Sequence, residues 1–450
     1  MRTAVWGAAV LFLLLCRGNA LAGEAWPEAS APSSHAELTS EMSGDKEPLA
    51  VWREAVESFR FSGWLEGMYG MRIKSPHNAI SRRVRLHAEA EGGVGTFYGF
   101  ISARAEKNWE VYSETDAKIH EAWVEHVGTG WDVRLGRQLI IWGKADGVQI
   151  TDMITPPDYT EAMTRELDEI RQPVDAVKLR FMGTELIDRD VNLELIAIPV
   201  FQKATLPKDD NPWAISASAP ESVRVEQRRT KKPSASLKNT EAAARLSGYY
   251  SGLDIAISAF YTWDDFPAYH RKLHREGNTP VLTISPEHHR MTVLGFEFSR
   301  PWSDFVFRGE AACYLDRYRE RKSADAGPVK KDSLKWLFGI DWTPGNDWTI
   351  APQFINETIF AYEKDLSDSK HDTLATLNIS KKLMNQTLTL SNMIYFDLND
   401  GEFYNRSKVE YEISDGLKAS AGLDIFSGTN GQYGRYSDNC QIWCKVRYSF

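Results

Sequence analysis

The chain has 450 residues, of which 42% are hydrophobic, 12% aromatic and 26% charged, with a formal charge of −9 at pH 7. A negative balance of this size argues against general nucleic-acid binding. Beyond the first 22 residues no apolar run approaches the ~20 residues of a membrane-crossing helix, yet strands, which spread their apolar character over alternate residues, could still cross.

The first predicted element is an export signal. Arg2 supplies the positive charge, Ala8 to Leu15 form a short apolar core, and Ala20-Leu21-Ala22 match a small-x-small cleavage site. Residues 1–22 therefore read as a signal peptide, with the mature chain starting at Gly23. Removing Arg2 and Arg17 takes the charge from −9 to near −11. Cys16 is not expected to be lipidated, because Leu15 precedes it and Arg17 follows. Residues 23–58 form a lead-in. Its first part is rich in Ala, Ser, Pro and Glu and reads as flexible. Leu49, Trp52, Val56 and Phe59 then recur at helical spacing, which predicts a short amphipathic helix against the rim or mouth of a strand-built body.

From Phe59 onward the period is two. Phe59, Phe61, Leu65, Tyr69, Met71 and Ile73 share one face; Arg60, Ser62, Glu66 and Arg72 share the other. Val84, Leu86, Ala88 and Ala90 oppose Arg83, Arg85, His87, Glu89 and Glu91. Phe97, Ile101, Ala103 and Ala105 oppose Ser102, Arg104 and Glu106. Similar segments follow near 117–127, 131–140, 174–183, 191–201, 241–251, 253–263, 290–300, 303–317, 334–343, 347–361, 372–382, 387–398, 403–413, 417–427 and 439–450. The predicted fold is all-β, a transmembrane antiparallel barrel over 59–450 with about 18 strands, about 16 being the other acceptable even number.

Connections alternate in length. Tight ones fall at Gly128-Thr129-Gly130, Ser251-Gly252, Pro301-Trp302, Pro344-Gly345-Asn346 and Asp415-Gly416. Long polar ones cover 141–173, 202–240, 264–289, 318–333 and 428–438. Short periplasmic turns and long extracellular loops are the barrel pattern, and closure satisfies backbone groups that hydrocarbon would leave unpaired. Trp131, Trp302, Trp342, Trp348 and Tyr448 lie near strand ends, as interfacial girdles require. The last strand, Ile442, Cys444, Val446, Tyr448 and Phe450 against Gln441, Trp443, Lys445, Arg447 and Ser449, resembles the C-terminal signal by which Gram-negative outer-membrane barrels are recognised by their assembly machinery. Cys440 and Cys444 would sit roughly 13 Å apart on one strand at about 3.3 Å per residue, too far to bridge, and with Cys313 read as small hydrophobes.

One internal motif is sharp. Residues 135–158 read LGRQ, three residues, WGKADG, four residues, Asp152, three residues, then Pro156-Pro157-Asp158. This pattern, with Glu121-Ala122-Trp123-Val124 before it, resembles a porin-like outer-membrane β-barrel family of unknown function. The resemblance is specific over about residues 119–175 and implies an outer-membrane barrel without implying a substrate. This chain has Thr155-Pro156 where the family more often has Asn-Pro.

The motif opens the loop 141–173. An 18-stranded barrel leaves an aqueous channel, and a charged loop folded inward would narrow it. The candidate pore and constriction residues are Trp142, Asp146, Asp152, Asp158, Arg165 and Arg171, facing Arg83, Arg85, Arg104 and Arg134 on the lumen wall. The alternative is a loop capping the outside, held by its own ion pairs. MTRELDEIR, Met163 to Arg171, predicts a short helix with Glu166–Ile170 and Leu167–Arg171 pairs. The basic lumen row (Arg60, Arg72, Arg83, Arg85, Arg104, Arg134) is matched by Glu66, Glu89, Glu91, Glu106 and Asp132, so pairing is favoured over an anion-selective field.

Other clusters carry less. His270, His274, His288 and His289 share a loop with Asp264 and Asp265, but their spacing matches no closed zinc site and solvated histidines are the plainer reading. Asp209-Asp210-Asn211 lacks a full calcium-ligand pattern. The basic run Arg228 to Lys232 reads as a solvated loop facing lipopolysaccharide. No motif for catalysis, haem or nucleotide binding is present. The sequence thus points to a non-enzymatic, cofactor-free outer-membrane channel for small hydrophilic solutes, in contact with lipid and lipopolysaccharide, with a homotrimer as one assembly open to it. The alternatives are a scaffold barrel around an electron-transfer or export complex, a barrel enzyme such as a phospholipase, and a soluble secreted β protein.

Overall fold

A computed structural model of the chain describes residues 58–161, 164–183, 190–208, 211–214, 222–323, 325–429 and 431–450. The signal peptide, the flexible lead-in and nearly all of the 49–59 helix lie outside them, as does Asp209-Asp210. Among the described residues 18 strands form one closed sheet. In chain order they are β1 (Arg60–Arg72), β2 (Ala79–Val94), β3 (Phe97–Asn108), β4 (Asp116–Gly128), β5 (Trp131–Gln138), β6 (Val174–Met182), β7 (Val191–Ile198), β9 (Glu241–Tyr250), β10 (Leu253–Trp263), β13 (Arg290–Trp302), β14 (Phe305–Arg319), β15 (Val329–Trp342), β16 (Trp348–Ile359), β17 (His371–Leu383), β18 (Leu388–Asp397), β19 (Phe403–Ser414), β20 (Leu417–Ser427) and β21 (Gln441–Ser449). Every segment read from the alternation is a wall strand, and about 18 is the right count.

Each wall strand pairs antiparallel with the next, and the last closes on the first. Trp64 pairs with Ser449 and Arg72 with Gln441. Beyond the ladder, Gly63 and Phe450 exchange both backbone hydrogen bonds at 2.9 Å. The terminal Phe450 is therefore part of the seam. Without that seam the edges of β1 and β21 would leave a row of unpaired N–H and C=O groups, each costing several kcal/mol in hydrocarbon.

The outward residues are the apolar half of the alternation. Phe61, Leu65, Tyr69, Val84, Leu86, Ile101, Ile257, Phe296, Phe354, Val409, Ile442 and Val446 are all exposed. Among the described residues no helix is long and apolar enough to cross a membrane. Trp131, Trp302, Trp342, Trp348 and Tyr448 all fall at the short-turn end. Phe305 stacks on Trp342 at 5.9 Å, and Trp302 lies 6.2 Å from Phe307. The expected girdle thus marks the periplasmic interface.

Four expectations change. The turn placed at Pro301-Trp302 is at Ser303-Asp304, because Trp302 still pairs with Phe305. The 202–240 and 264–289 loops contain strands: β8 (Arg224–Gln227), β11 (Ala268–Glu276) and β12 (Thr279–Glu287) form a separate three-stranded sheet. The predicted 163–171 helix shrinks to α1 (Leu167–Ile170), started by a reciprocal Glu166/Glu169 capping box; Arg171 pairs with Asp168. His288 is buried, with its Nδ1 at 2.8 Å from the Asp264 carbonyl, and so is not a solvated histidine. The cysteines 313, 440 and 444 are free, as expected.

Candidate functional site

The chain from Leu139 to Pro173 leaves the wall between β5 and β6 and folds inside the barrel. Its first half runs toward the periplasmic end. Lys144 pairs with Asp254, the second residue of β10, and its carbonyl accepts from Arg308. Arg308 also reaches Asp146 at 2.5 Å and Asp341 at 2.6 Å. Glu310 receives the Thr151 hydroxyl at 2.9 Å and the Lys144 N–H. Lys335 donates to the Gln149 carbonyl at 3.2 Å, and Gln353 to the Asp146 carbonyl at 3.3 Å. The WGKADG motif is the sequence that makes this descent and return. Gly143 and Gly147 take φ of 84° and 71°, in the region that favours glycine.

An apolar interior fixes this half. Ile140, Trp142, Ile150 and Ile154 pack against lumen-facing Ala176, Ile196, Ile198, Phe260, Val293, Leu337 and Ile355. The lumen face was expected to be wet throughout; between β6 and β16 it instead carries an apolar docking patch set among charged groups. Burial is worth about 1.5–3 kcal/mol per large apolar side chain, which is why the segment lies inside rather than over the rim. Trp142 satisfies its ring N–H on Glu194 at 2.6 Å.

The second half faces a charged wall. Arg83 meets Glu161 at 3.1 Å, with Arg83 only 2% exposed. Arg85 bridges Glu66 at 2.5 Å and Glu169 at 2.6 Å, and Arg447 reaches Glu66 at 2.6 Å. Arg165 is shared by Glu161 at 2.7 Å, Glu106 at 3.1 Å and Glu114 at 3.1 Å. Asp152 and Arg171 pair at 2.7 Å. Glu166 lies 3.6 Å from Arg406 and 3.7 Å from Lys408. Arg83, Arg85 and Arg165 therefore pair between loop and wall, and Asp146 ties the loop to Arg308, whereas Asp152 and Arg171 pair with each other inside the loop. Arg134 pairs with Glu125 at 3.1 Å and stacks over Trp123 at 3.7 Å. Arg104 donates to His87 at 3.4 Å.

A cleft of about 90 Å³ remains on this side, lined by Arg85, Arg104, Glu114, Lys118, Asp158 and Arg165 among others. Glu114, in the turn between β3 and β4, is pushed up to about 7 by burial, because its one close cation, Arg165, is shared with two other acids.

The β7–β9 connection lies over the inner loop. Thr205 exchanges backbone bonds with Pro157 and Tyr159 at 3.0 and 2.8 Å, and the Asn211 side chain donates to the Thr160 carbonyl at 2.8 Å. Trp213, 1% exposed, packs against Phe426 of β20 and Tyr436 of the β20–β21 connection. The sequence reading named Glu66 and Glu106 as pairing acids of the lumen wall, and they do pair, but it missed Glu161, Glu169, Arg308, Glu310 and Trp213. For Arg308 and Glu310 a signal existed: two charges two residues apart on the inner side of the first, otherwise apolar half of the strand, Phe305 to Tyr314.

The tip contact is tested by Gly147→Ala. An added Cβ would collide with the Tyr395 hydroxyl. The expected result is loss of tip docking, seen as faster proteolysis of the loop in the folded barrel, with Tyr395→Phe in the same chain giving partial recovery. Equal protection of Gly147→Ala and wild type would refute the contact.

The family model described as "Protein of unknown function (DUF1302)" matches residues 79–193, under half of the chain. No curated protein matches the sequence. Among solved structures, Pseudomonas aeruginosa OccD3 (OpdP) is similar over 88% of this chain and 92% of its own, with 10% identity and a TM-score of 0.51. Pseudomonas aeruginosa OccK11 (OpdR) is similar over 87% and 96%, with 10% identity and a TM-score of 0.50. At such identities the likeness concerns the fold, a porin-like barrel. That fold, with its apolar exterior and seam closure, is an outer-membrane wall.

Proposed function

We propose that the chain is a passive outer-membrane channel for small hydrophilic solutes, with the inner loop 139–173 as its constriction. The observation carrying this reading is the loop's placement: it spans the lumen, joining the β10 and β14–β16 wall on one side to the β1–β3 and β19 wall on the other. Ion pairs at close quarters set the size and charge of what passes. Around the remaining cleft, Arg85, Arg104, Lys118, Arg137, Arg165 and Arg171 stand against Glu106, Glu114, Asp116, Asp158 and Glu169, a nearly balanced set that favours neutral or zwitterionic solutes over a strong ion preference. Planar-bilayer conductance, followed by liposome swelling with a panel of sugars and amino acids, tests this. Absence of any conductance from folded, heat-modifiable protein would overturn it.

The reading also has a pH signature. As pH falls through about 7, Glu114 takes up a proton and the cleft gains one unit of positive charge. Relative anion permeability is expected to rise between about pH 8 and about pH 6, and the rise should vanish in Glu114→Gln. Identical reversal potentials for both proteins across that range would remove Glu114 from the pathway.

A further inference from the structure

We infer that the extracellular rim carries a divalent transition-metal site formed by His270, Glu287 and His289. The geometry follows from strand periodicity. His270 lies on β11 opposite Ser285 of β12. Glu287 is two residues beyond Ser285 and therefore on the same face, and His289 is two beyond that as the chain turns toward β13. One ligand atom from each of the three residues lies within 4.8 Å of the others. The Nε2 atoms of His270 and His289 face each other at 2.8 Å. Tyr318 of β14 stacks on the His289 ring at 3.9 Å and fixes its plane.

Two imidazole nitrogens and one carboxylate suit zinc and its neighbours, leaving one position for water. Zinc–nitrogen bonds of about 2.0–2.1 Å in a tetrahedral site put the two nitrogens roughly 3.3 Å apart. The pair therefore needs to open by about half an ångström, within reach of side-chain rotation. The Lys231 ammonium, 2.5 Å from Glu287, holds the carboxylate and competes with a cation for it. Since β12 also pairs with β8, a bound cation would tie the three-stranded sheet to the start of β13, beside the end of β14.

The test is calorimetric titration of Zn²⁺ into tag-free, chelator-stripped, detergent-solubilised full-length protein. One equivalent per chain is expected. Loss of an outer-shell partner costs 10–100-fold in metal affinity, so loss of a direct ligand in His270→Ala or His289→Ala should weaken binding by about a hundredfold or more. Glu287→Gln should weaken it by about tenfold, and Lys231→Ala should tighten it by freeing the carboxylate. His274→Ala, on the same hairpin but beside Glu276, should bind as wild type. Heat-modifiable migration confirms folding of each variant, with Gln replacing Ala where needed. Unchanged binding in both histidine variants, or no stoichiometric binding by wild type, would overturn the assignment and leave only a histidine–histidine contact.

Discussion

Replacing residues 140–172 by a four-residue Gly/Ser turn is expected to raise single-channel conductance several-fold while the barrel stays closed. Closure should survive because Gln138 and Val174 already face each other as the last pair of the β5–β6 ladder, a span that a loop of about 3–5 residues covers. The cost falls on the inner wall. Ile196, Phe260, Val293, Leu337 and Ile355 lose the packing of Ile140, Trp142, Ile150 and Ile154, so a lower unfolding midpoint should accompany the larger current. Conductance in planar bilayers, with heat-modifiable migration as the folding control, reads the outcome. A shortened chain that conducts like wild type would show that the loop is not what limits passage, and the constriction would have to be sought in the overlying β7–β9 connection.

Arg165→Ala is expected to be the most damaging point substitution in the lumen. Its guanidinium serves Glu106, Glu114 and Glu161, and Glu161 is fully buried. Removing the shared cation leaves three carboxylates together, and breaking a buried pair this way costs about 3–5 kcal/mol. The Arg83–Glu161 contact remains and offsets only one of them. Tryptophan fluorescence during guanidinium unfolding of the detergent-solubilised protein measures the loss, and current noise should increase as the loop detaches. Adding Glu161→Gln to Arg165→Ala should recover part of the stability, since one uncompensated charge disappears. A double variant no better than the single one would place the role of Arg165 in packing of its stem rather than in charge.

These two experiments sit on the part of the molecule least visible in the amino-acid order. The motif LGRQ-x3-WGKADG-x4-D-x3-PPD could be seen, and its charged residues could be named, but not their partners. Asp146 finds Arg308 and Gln353; Glu161 finds Arg83; Gly147 approaches Tyr395. Such pairs join segments tens to hundreds of residues apart, and no spacing rule connects them. The inner apolar face hid for a related reason. Phe260, Val293 and Leu337 point to the side that alternation assigns to water, and only the arrival of Trp142 and the Ile residues beside it makes that side dry.

What the order of residues determined by itself was the wall: its strands, about 18 in number, the face each residue presents and the end bearing tight turns. These follow from backbone geometry, which sends neighbouring side chains to opposite faces whatever the rest of the chain does. What only the tertiary structure decided was the contents of the cylinder. Whether a long connection lies outside or threads the lumen depends on the sum of contacts it finds with distant strands, and that sum exists only once the sheet has closed.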